Sequence, residues 1–472
     1  MKKIIVLLIA ILISLLSFSG CKTPSKSKKQ PAQTKTITLW HYYNGGIKAQ
    51  FDELVQTFNE TVGKEKGIIV DAYSQGGVNE LADAVFASAN KDVGSKKMPD
   101  IFAAYPDNAL RLDNLGVVAR LDEYFTKDEL NSYKSEFLED GRFDKDKSLK
   151  IIPVAKSTEL LYINMTAFNE FAKATGATLD ELSTWESLSQ TAEKYYKWSN
   201  GKAMFGIDSM SNFMIIATKQ LGKDFFTINN NNASLNINAQ DARKIWDAFY
   251  IPFVKGHYSA VGRFRSDDLR SGNIIMFTGS NSSASFFPKI IETGKDSSYE
   301  TQSCVIPYPC FAGKEKVAVH QGAGMVVSKS DNETQKACAE FLKWFTSPEQ
   351  NLKFAATTSY LPVKNETLTY EKMAQYIDST DESDIKLQTN KAVFKMLDSY
   401  KIYSPKPFNN GVETRNIINT SLLNKAQSDL KEINEKIKSA NKEDVIAQYI
   451  SDENFNAWYN DFTTKINNEL KK

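Results

Sequence analysis

The chain is poor in the residues from which catalytic and metal centres are usually built, with three histidines and four cysteines among 472 residues. Zinc sites need Cys and His clustered at short spacings, and His41, His257 and His320 stand far apart. No C-x-x-C, H-E-x-x-H or G-x-S-x-G stretch occurs, and Gly294-Lys295 lacks the upstream glycine and the following Ser or Thr of a phosphate-binding loop. The expectation is therefore no metal, no cofactor and no enzyme. An excess of charge is missing as well: 58 Lys plus Arg against 57 Asp plus Glu leave a net charge of +1. Without a basic field to meet phosphates, nucleic acid is not a partner. Long hydrophobic runs are also scarce. The single one, Ile4 to Phe18, is about 15 residues long, too short to span a bilayer and suited to the apolar centre of an export signal.

What remains is an ordinary globular mix, 42% hydrophobic and 24% charged, long enough for two or three domains at roughly 100–200 residues each. Lys2 and Lys3 precede the apolar run, which ends in Phe18-Ser19-Gly20-Cys21. This resembles a bacterial lipobox, with Phe18 in place of the usual Leu and Cys21 as the lipidated first residue. Residues 1–20 then read as a signal peptide and 21–35, rich in Lys, Ser, Pro and Gln, as a flexible tether on an exported protein. Cys304 and Cys310 either close a small disulfide loop or remain buried thiols.

Along the mature chain, strand-like and helix-like stretches alternate. Ile37–Trp40, Ile68–Tyr73 and Pro99–Ala103 read as strands. Phe51, Leu54, Val55, Phe58 and Val62 form an apolar helical stripe between the first two. Such alternation predicts an α/β fold built on parallel βαβ units. Ile274–Phe277 reads as a buried strand, and Ser347-Pro348-Glu349-Gln350 as a capping box opening a helix. The strand ends carry Gly, Ser, Asn, Asp and Tyr, and ligands of open α/β sheets bind at those ends. Neutral hydrogen-bonding groups beside aromatic faces suit a polyhydroxylated ligand. Asp267-Asp268 reads as a solvated turn rather than a catalytic pair. The enzyme alternative, a surface-tethered glycoside hydrolase, would need two carboxyls about 5–9 Å apart across a cleft.

Five segments in order, Thr36-Ile-Thr-Leu-Trp-His-Tyr-Tyr-Asn-Gly45, Pro99-Asp-Ile-Phe-Ala-Ala-Tyr-Pro-Asp-Asn-Ala109, Pro153-Val-Ala-Lys-Ser-Thr-Glu-Leu-Leu-Tyr-Ile-Asn164, Gln321-Gly-Ala-Gly-Met-Val-Val327 and Glu340-Phe-Leu-Lys-Trp-Phe-Thr-Ser-Pro-Glu-Gln350, together resemble the family 1 extracellular solute-binding proteins of ABC importers. The resemblance implies a type II periplasmic-binding-protein fold with two α/β lobes, an interlobe cleft and three hinge crossovers near Ala155, Pro307 and Ser359. One lobe would hold 36–155 and 308–358, the other 156–307 and 359–472. It implies a monomer that captures a mono- to short oligosaccharide by hinge closure. That monomer would hand its cargo to the transmembrane subunits of an ABC permease while lipid holds it on the extracytoplasmic face of a membrane. The strand-end loops offer Asp208 and Gly322 as ligand-binding residues, and the segments carried over add Tyr42, Asn44, Asp107, Ser157 with Glu159 nearby, Gly279, Ser280 and Asn409. Ser280 and Asn409 stand where binders of larger sugars often carry aromatics, which argues against a long malto-oligosaccharide. The alternative ligand is glycerol 3-phosphate or a related anion. Arg415 would hold it through its bidentate fork, unless Arg415 merely pairs with Glu413.

Overall fold

The computed structural model describes residues 34–294, 297–377 and 384–472, so the signal sequence, Cys21 and nearly all of the tether lie outside the described residues. Two principal sheets organise the chain. In the first, strand Lys35–His41 runs parallel to Ile68–Ser74 on one side and to Ile101–Ala104 on the other. Gly324–Val327 then adds antiparallel to Ile101–Ala104 and carries Ile152–Pro153 on its far edge. Between the first two strands, helix Gly45–Glu60 turns Ile47, Phe51, Leu54, Val55 and Phe58 inward, the last four from the stripe read in the sequence, while Val62 falls in a separate short helix, Val62–Lys66. Phe51 is fully buried, edge-on to His41 at 4.9 Å and to Phe345 at 5.5 Å. Each such side chain contributes roughly 1.5–3 kcal/mol of burial.

The second sheet is ordered Ser303–Pro307, Glu159–Asn164, Met276–Ser280, Phe205–Ile207. Its central strand Glu159–Asn164 is buried at all six positions, which explains its nearly continuous apolar run: both faces are covered. Only the pairing of Phe205–Ile207 with Met276–Ser280 is parallel. The sheets are thus mixed rather than purely βαβ, because strands returning from the other lobe add antiparallel.

The two sheets belong to two separate cores. One gathers residues from 37–155 and 323–363, the other from 160–319, 361 and 392–466. The second crossover was expected near Pro307, but Tyr308, Phe311 and Val317–Val319 all pack in the second core. Tyr308 lies edge-on to Trp185 at 5.4 Å, and Val317–Val319 pairs in parallel with Lys401–Tyr403. The chain therefore crosses at His320–Gly322. There the crossovers lie side by side: Ser157 and Gln321 exchange backbone hydrogen bonds of 2.8 and 2.9 Å, and Lys156 and Leu361 exchange bonds of 3.1 and 2.6 Å. Gly322 is required at this point. Its φ is +127°, and a Cβ would lie 2.7 Å from the Ala155 carbonyl oxygen.

Two local expectations change. Helix Pro348–Thr358 has Ser347 at its N-cap and Pro at its start, but the serine side chain makes no capping bond. Asp268 is buried rather than solvated; it pairs with Arg265 and accepts the Val261 and Gly262 amides, which ties down that loop. Cys304, Cys310 and Cys338 are free thiols.

Candidate functional site

A cavity of ≈ 350 Å³ lies between the two lobes. Its first wall is Tyr105-Pro106-Asp107-Asn108, where strand Ile101–Ala104 gives way to helix Pro106–Asp113. Opposite it, Asp208 and Ser209 follow strand Phe205–Ile207 and open helix Met210–Gln220, with Asn212 in its first turn. Arg415, Asn416 and Asn419 project from helix Gly411–Lys436, and His320-Gln321-Gly322 forms the hinge-side floor. Three helices thus begin at the cavity, bringing partial positive charge to it.

The charged groups here satisfy one another. Asp107 from one lobe pairs with Arg415 Nε from the other, with side-chain exposures of 10% and 22%. Asp107 Oδ1 also accepts the Phe408 amide at 3.3 Å. The approach is so close that a Cβ on Gly411 would sit 2.4 Å from that oxygen. Deeper in, Asp140 accepts from Lys156 Nζ and Ser404 Oγ, each at 2.6 Å, with His320 Nδ1 at 3.5 Å. Burial opposes ionisation of Asp140, but the Lys156 ammonium and the hydrogen bonds hold it below the usual carboxylate range. Burial drives His320 down to about 3, so it is neutral.

Glu159 is buried one layer behind the cavity. Asn212 Nδ2 donates to Glu159 Oε1 and to Gln321 Oε1, both at 2.7 Å, linking second-lobe helix to hinge. Loss of water pushes the Glu159 carboxyl up to about 8, so at neutral pH it is mostly protonated. Asp208 opens onto the cavity, yet the enclosing walls raise its carboxyl above the usual range despite the Arg265 amide donated to it at 3.0 Å.

Of the residues singled out from sequence, Asp107, Asp208, Gly322 and Arg415 line this cavity together. Glu159 supports its wall through Asn212. Tyr42 stands behind Tyr105, ring centroids 6.5 Å apart, as backing rather than lining. The remaining five do not line it. Asn44 is exposed and bonds the Gly76 carbonyl at 2.9 Å. Ser157 is a buried hinge residue, and Gly279 and Ser280 pair in register with Leu160 and Glu159 inside the second sheet. Asn409 bridges Asn114 at 3.2 Å and Asn232 at 3.1 Å on a neighbouring cavity. Glu413 pairs with Arg111 at 3.5 Å and leaves Arg415 to Asp107. Sequence reasoning missed Asn212, Asp140, Ser404, Asn416 and Asn419. The last two were within reach, since Val412, Arg415, Asn416 and Asn419 repeat at helical spacing on one face.

Further contacts join the lobes around the cavity. Arg263 meets Glu80 at 2.9 Å and Asn231 Nδ2 donates to the Phe143 carbonyl at 3.1 Å, so the lobes stand closed on one another. Among the described residues no helix is long and apolar enough to cross a membrane, and no three His, Cys, Asp or Glu gather as a metal site.

Comparison with known proteins places this architecture. The sn-glycerol-3-phosphate-binding periplasmic protein UgpB of Salmonella typhimurium is 24% identical over 408 residues, covering 82% of this chain and 85% of that protein. Among solved structures, the cyclic α-maltosyl-1,6-maltose binding protein of Arthrobacter globiformis superposes with a TM-score of 0.65 at 18% identity, over 92% of this chain and 99% of that one. UgpB of Mycobacterium tuberculosis in complex with glycerophosphocholine gives 0.64 at 15% identity, over 90% and 98%. Residues 53–380 match the bacterial extracellular solute-binding proteins, and the chain belongs to that family.

Proposed function

We propose that this solute-binding protein captures a neutral, polyhydroxylated solute, a mono- to short oligosaccharide, and delivers it unaltered to the permease of an ABC importer. The observation that carries the reading is the internal neutrality of the cleft. Asp107 is matched by Arg415, Asp140 by Lys156, and Glu159 is protonated. What is left to meet a ligand is one carboxyl, Asp208, whose ionisation the enclosing walls oppose, and a majority of amides and hydroxyls: Asn108, Ser209, Asn212, Gln321, Asn416 and Asn419. Such groups match sugar hydroxyls as donors and acceptors without demanding a charge. The lobes, 34–155 with 323–358 and 160–319 with 361–472, would move as bodies about the hydrogen-bonded crossovers. A ligand held by both walls stabilises the closed state by its preference for it, the hinge motion of periplasmic binding proteins. The chain would act as a monomer on the extracytoplasmic face of the membrane, with lipid at Cys21 as its tether.

A second reading is favoured by Arg415 and by the sn-glycerol-3-phosphate relatives: an anionic glycerol phosphate would draw the guanidinium off Asp107. Calorimetric titration of mono- to trisaccharides and of sn-glycerol 3-phosphate separates the two, with small-angle scattering to follow compaction. Tight binding of the phosphate with none of the sugars sinks the first reading; binding without compaction sinks the hinge. Metabolic labelling with a fatty acid, lost in Cys21→Ala, checks the anchor.

A further inference from the structure

A second cavity, ≈ 950 Å³, adjoins the first and shares Asp140, His320, Ser404 and Pro405 with it. The divider is one side chain thick: Ser404 Oγ on Asp140 at 2.6 Å, with His320 stacked on Phe137 at 4.6 Å between ring centroids. Asp140 packs with the first core and Ser404 follows a strand of the second, so their bond is itself a contact between lobes and parts when they open.

Both lobes line the second cavity. Phe143 comes from the first, and half-buried Ile228, Phe394, Leu397 and Ile402 come from the second. Around these apolar faces stand the amides of Asn230 and Asn231, the ammonium groups of Lys145, Lys147 and Lys406, and several Asp and Glu carboxylates. No ion pair within 4.0 Å engages those lysines among the described residues, so their ammonium groups remain free donors. Ring and aliphatic surface edged by amide and ammonium donors and by carboxylate acceptors matches a sugar ring, which has an apolar CH face and a hydroxyl rim. Small-molecule sites span roughly 300–1,000 Å³. The first cavity is at the lower end of that range and the second near the top.

We propose that the second cavity holds further units of a chain-like carbohydrate whose first units occupy the cleft, so that the preferred cargo is an oligosaccharide of three or more rings. This rests on the carbohydrate reading above. A chain running from one cavity to the other displaces the Ser404 hydroxyl from Asp140 and puts one of its own hydroxyls there. The aromatic faces absent at Ser280 and Asn409 are then supplied by Phe143 and Phe394.

The test titrates the full mature chain with maltose, maltotriose and maltotetraose and with mannobiose, mannotriose and mannotetraose. Affinity should rise about tenfold from two to four rings in the series that binds. Asp398→Trp, at an exposed lining position, should cut the affinity for three and four rings about tenfold while leaving two rings within about twofold. The indole it introduces should shift its emission only with the longer sugars. Phe394→Ala should show the same length dependence if the added indole perturbs packing. Equal effects at every length, or no gain on lengthening when the disaccharide binds, overturns this inference and leaves the carbohydrate reading standing. Binding of sn-glycerol 3-phosphate with no saccharide overturns both.

Discussion

Arg415→Gln is the most informative perturbation of the cleft, because Arg415 and its partner Asp107 are carried by opposite lobes. Removing one member of a fully buried pair costs about 3–5 kcal/mol, and of an exposed pair under about 1 kcal/mol. With side-chain exposures of 22% and 10% this pair is intermediate, and a cost of about 1–3 kcal/mol is expected. The open state does not make the contact, so the cost falls on closure and weakens ligand binding by roughly 5- to 150-fold. For a neutral ligand most of that loss comes from the stranded Asp107 carboxylate. Asp107→Asn added to Arg415→Gln should therefore restore the affinity to within about fivefold of the parent. For a phosphate ligand the guanidinium is itself the contact, and the second substitution restores nothing. Calorimetry on the parent, both single variants and the double variant, with maltose, maltotriose and sn-glycerol 3-phosphate, measures the coupling. A double variant that binds sugar no better than Arg415→Gln refutes the argument from a neutralised cleft.

Gly411→Ala places a methyl 2.4 Å from Asp107 Oδ1, again only across the closed lobes. The melting temperature of the ligand-free protein should hold or rise slightly, since alanine favours helix, while affinity falls about tenfold and the complex stays expanded in scattering. Glu159 makes stability depend on pH with an unusual sign. Its carboxyl is raised from 4.5 to about 8, so between those values the folded state keeps a proton that the unfolded state releases. Stability contributed at this site is complete below pH 4.5 and is lost as pH rises toward 8, by up to about 1.4 kcal/mol per unit. Glu159→Gln should flatten that slope in denaturant titrations at pH 5 to 8, and an unchanged slope contradicts the buried neutral carboxyl. Thiol titration of the unfolded chain without reductant should find Cys304, Cys310 and Cys338 all reactive; two missing equivalents would mean a disulfide.

Local pattern carried much of the architecture into view. The stripe on helix Gly45–Glu60 and the alternation of strands with helices depend on side chains a few residues apart, so periodicity reveals them. Asp107 and Asp208 were legible because strand ends in such sheets face the ligand. The boundary at Pro307 was misplaced for a physical reason. It came from matching segments to the family, whereas the burial of Tyr308 against Trp185 that keeps the segment in the second lobe is a long-range contact no segment match reveals. The pairing of Asp107 with Arg415, 308 positions apart, is equally invisible to spacing. Asp140 and Ser404 lie outside regular elements and gain meaning only when Lys156 and His320 converge on them.

Gly324–Val327 has a consequence for the order in which the protein can be made. It lies between Ile101–Ala104 and Ile152–Pro153, and among the described residues Ile152–Pro153 pairs with the first sheet through it alone. A nascent chain emerging from its amino end cannot finish its first lobe until the polypeptide through residue 327 has appeared, most of the other lobe included. Closing so large a loop slows acquisition of structure. Were such a chain exported unfolded, that delay would keep its leading half pliable during passage.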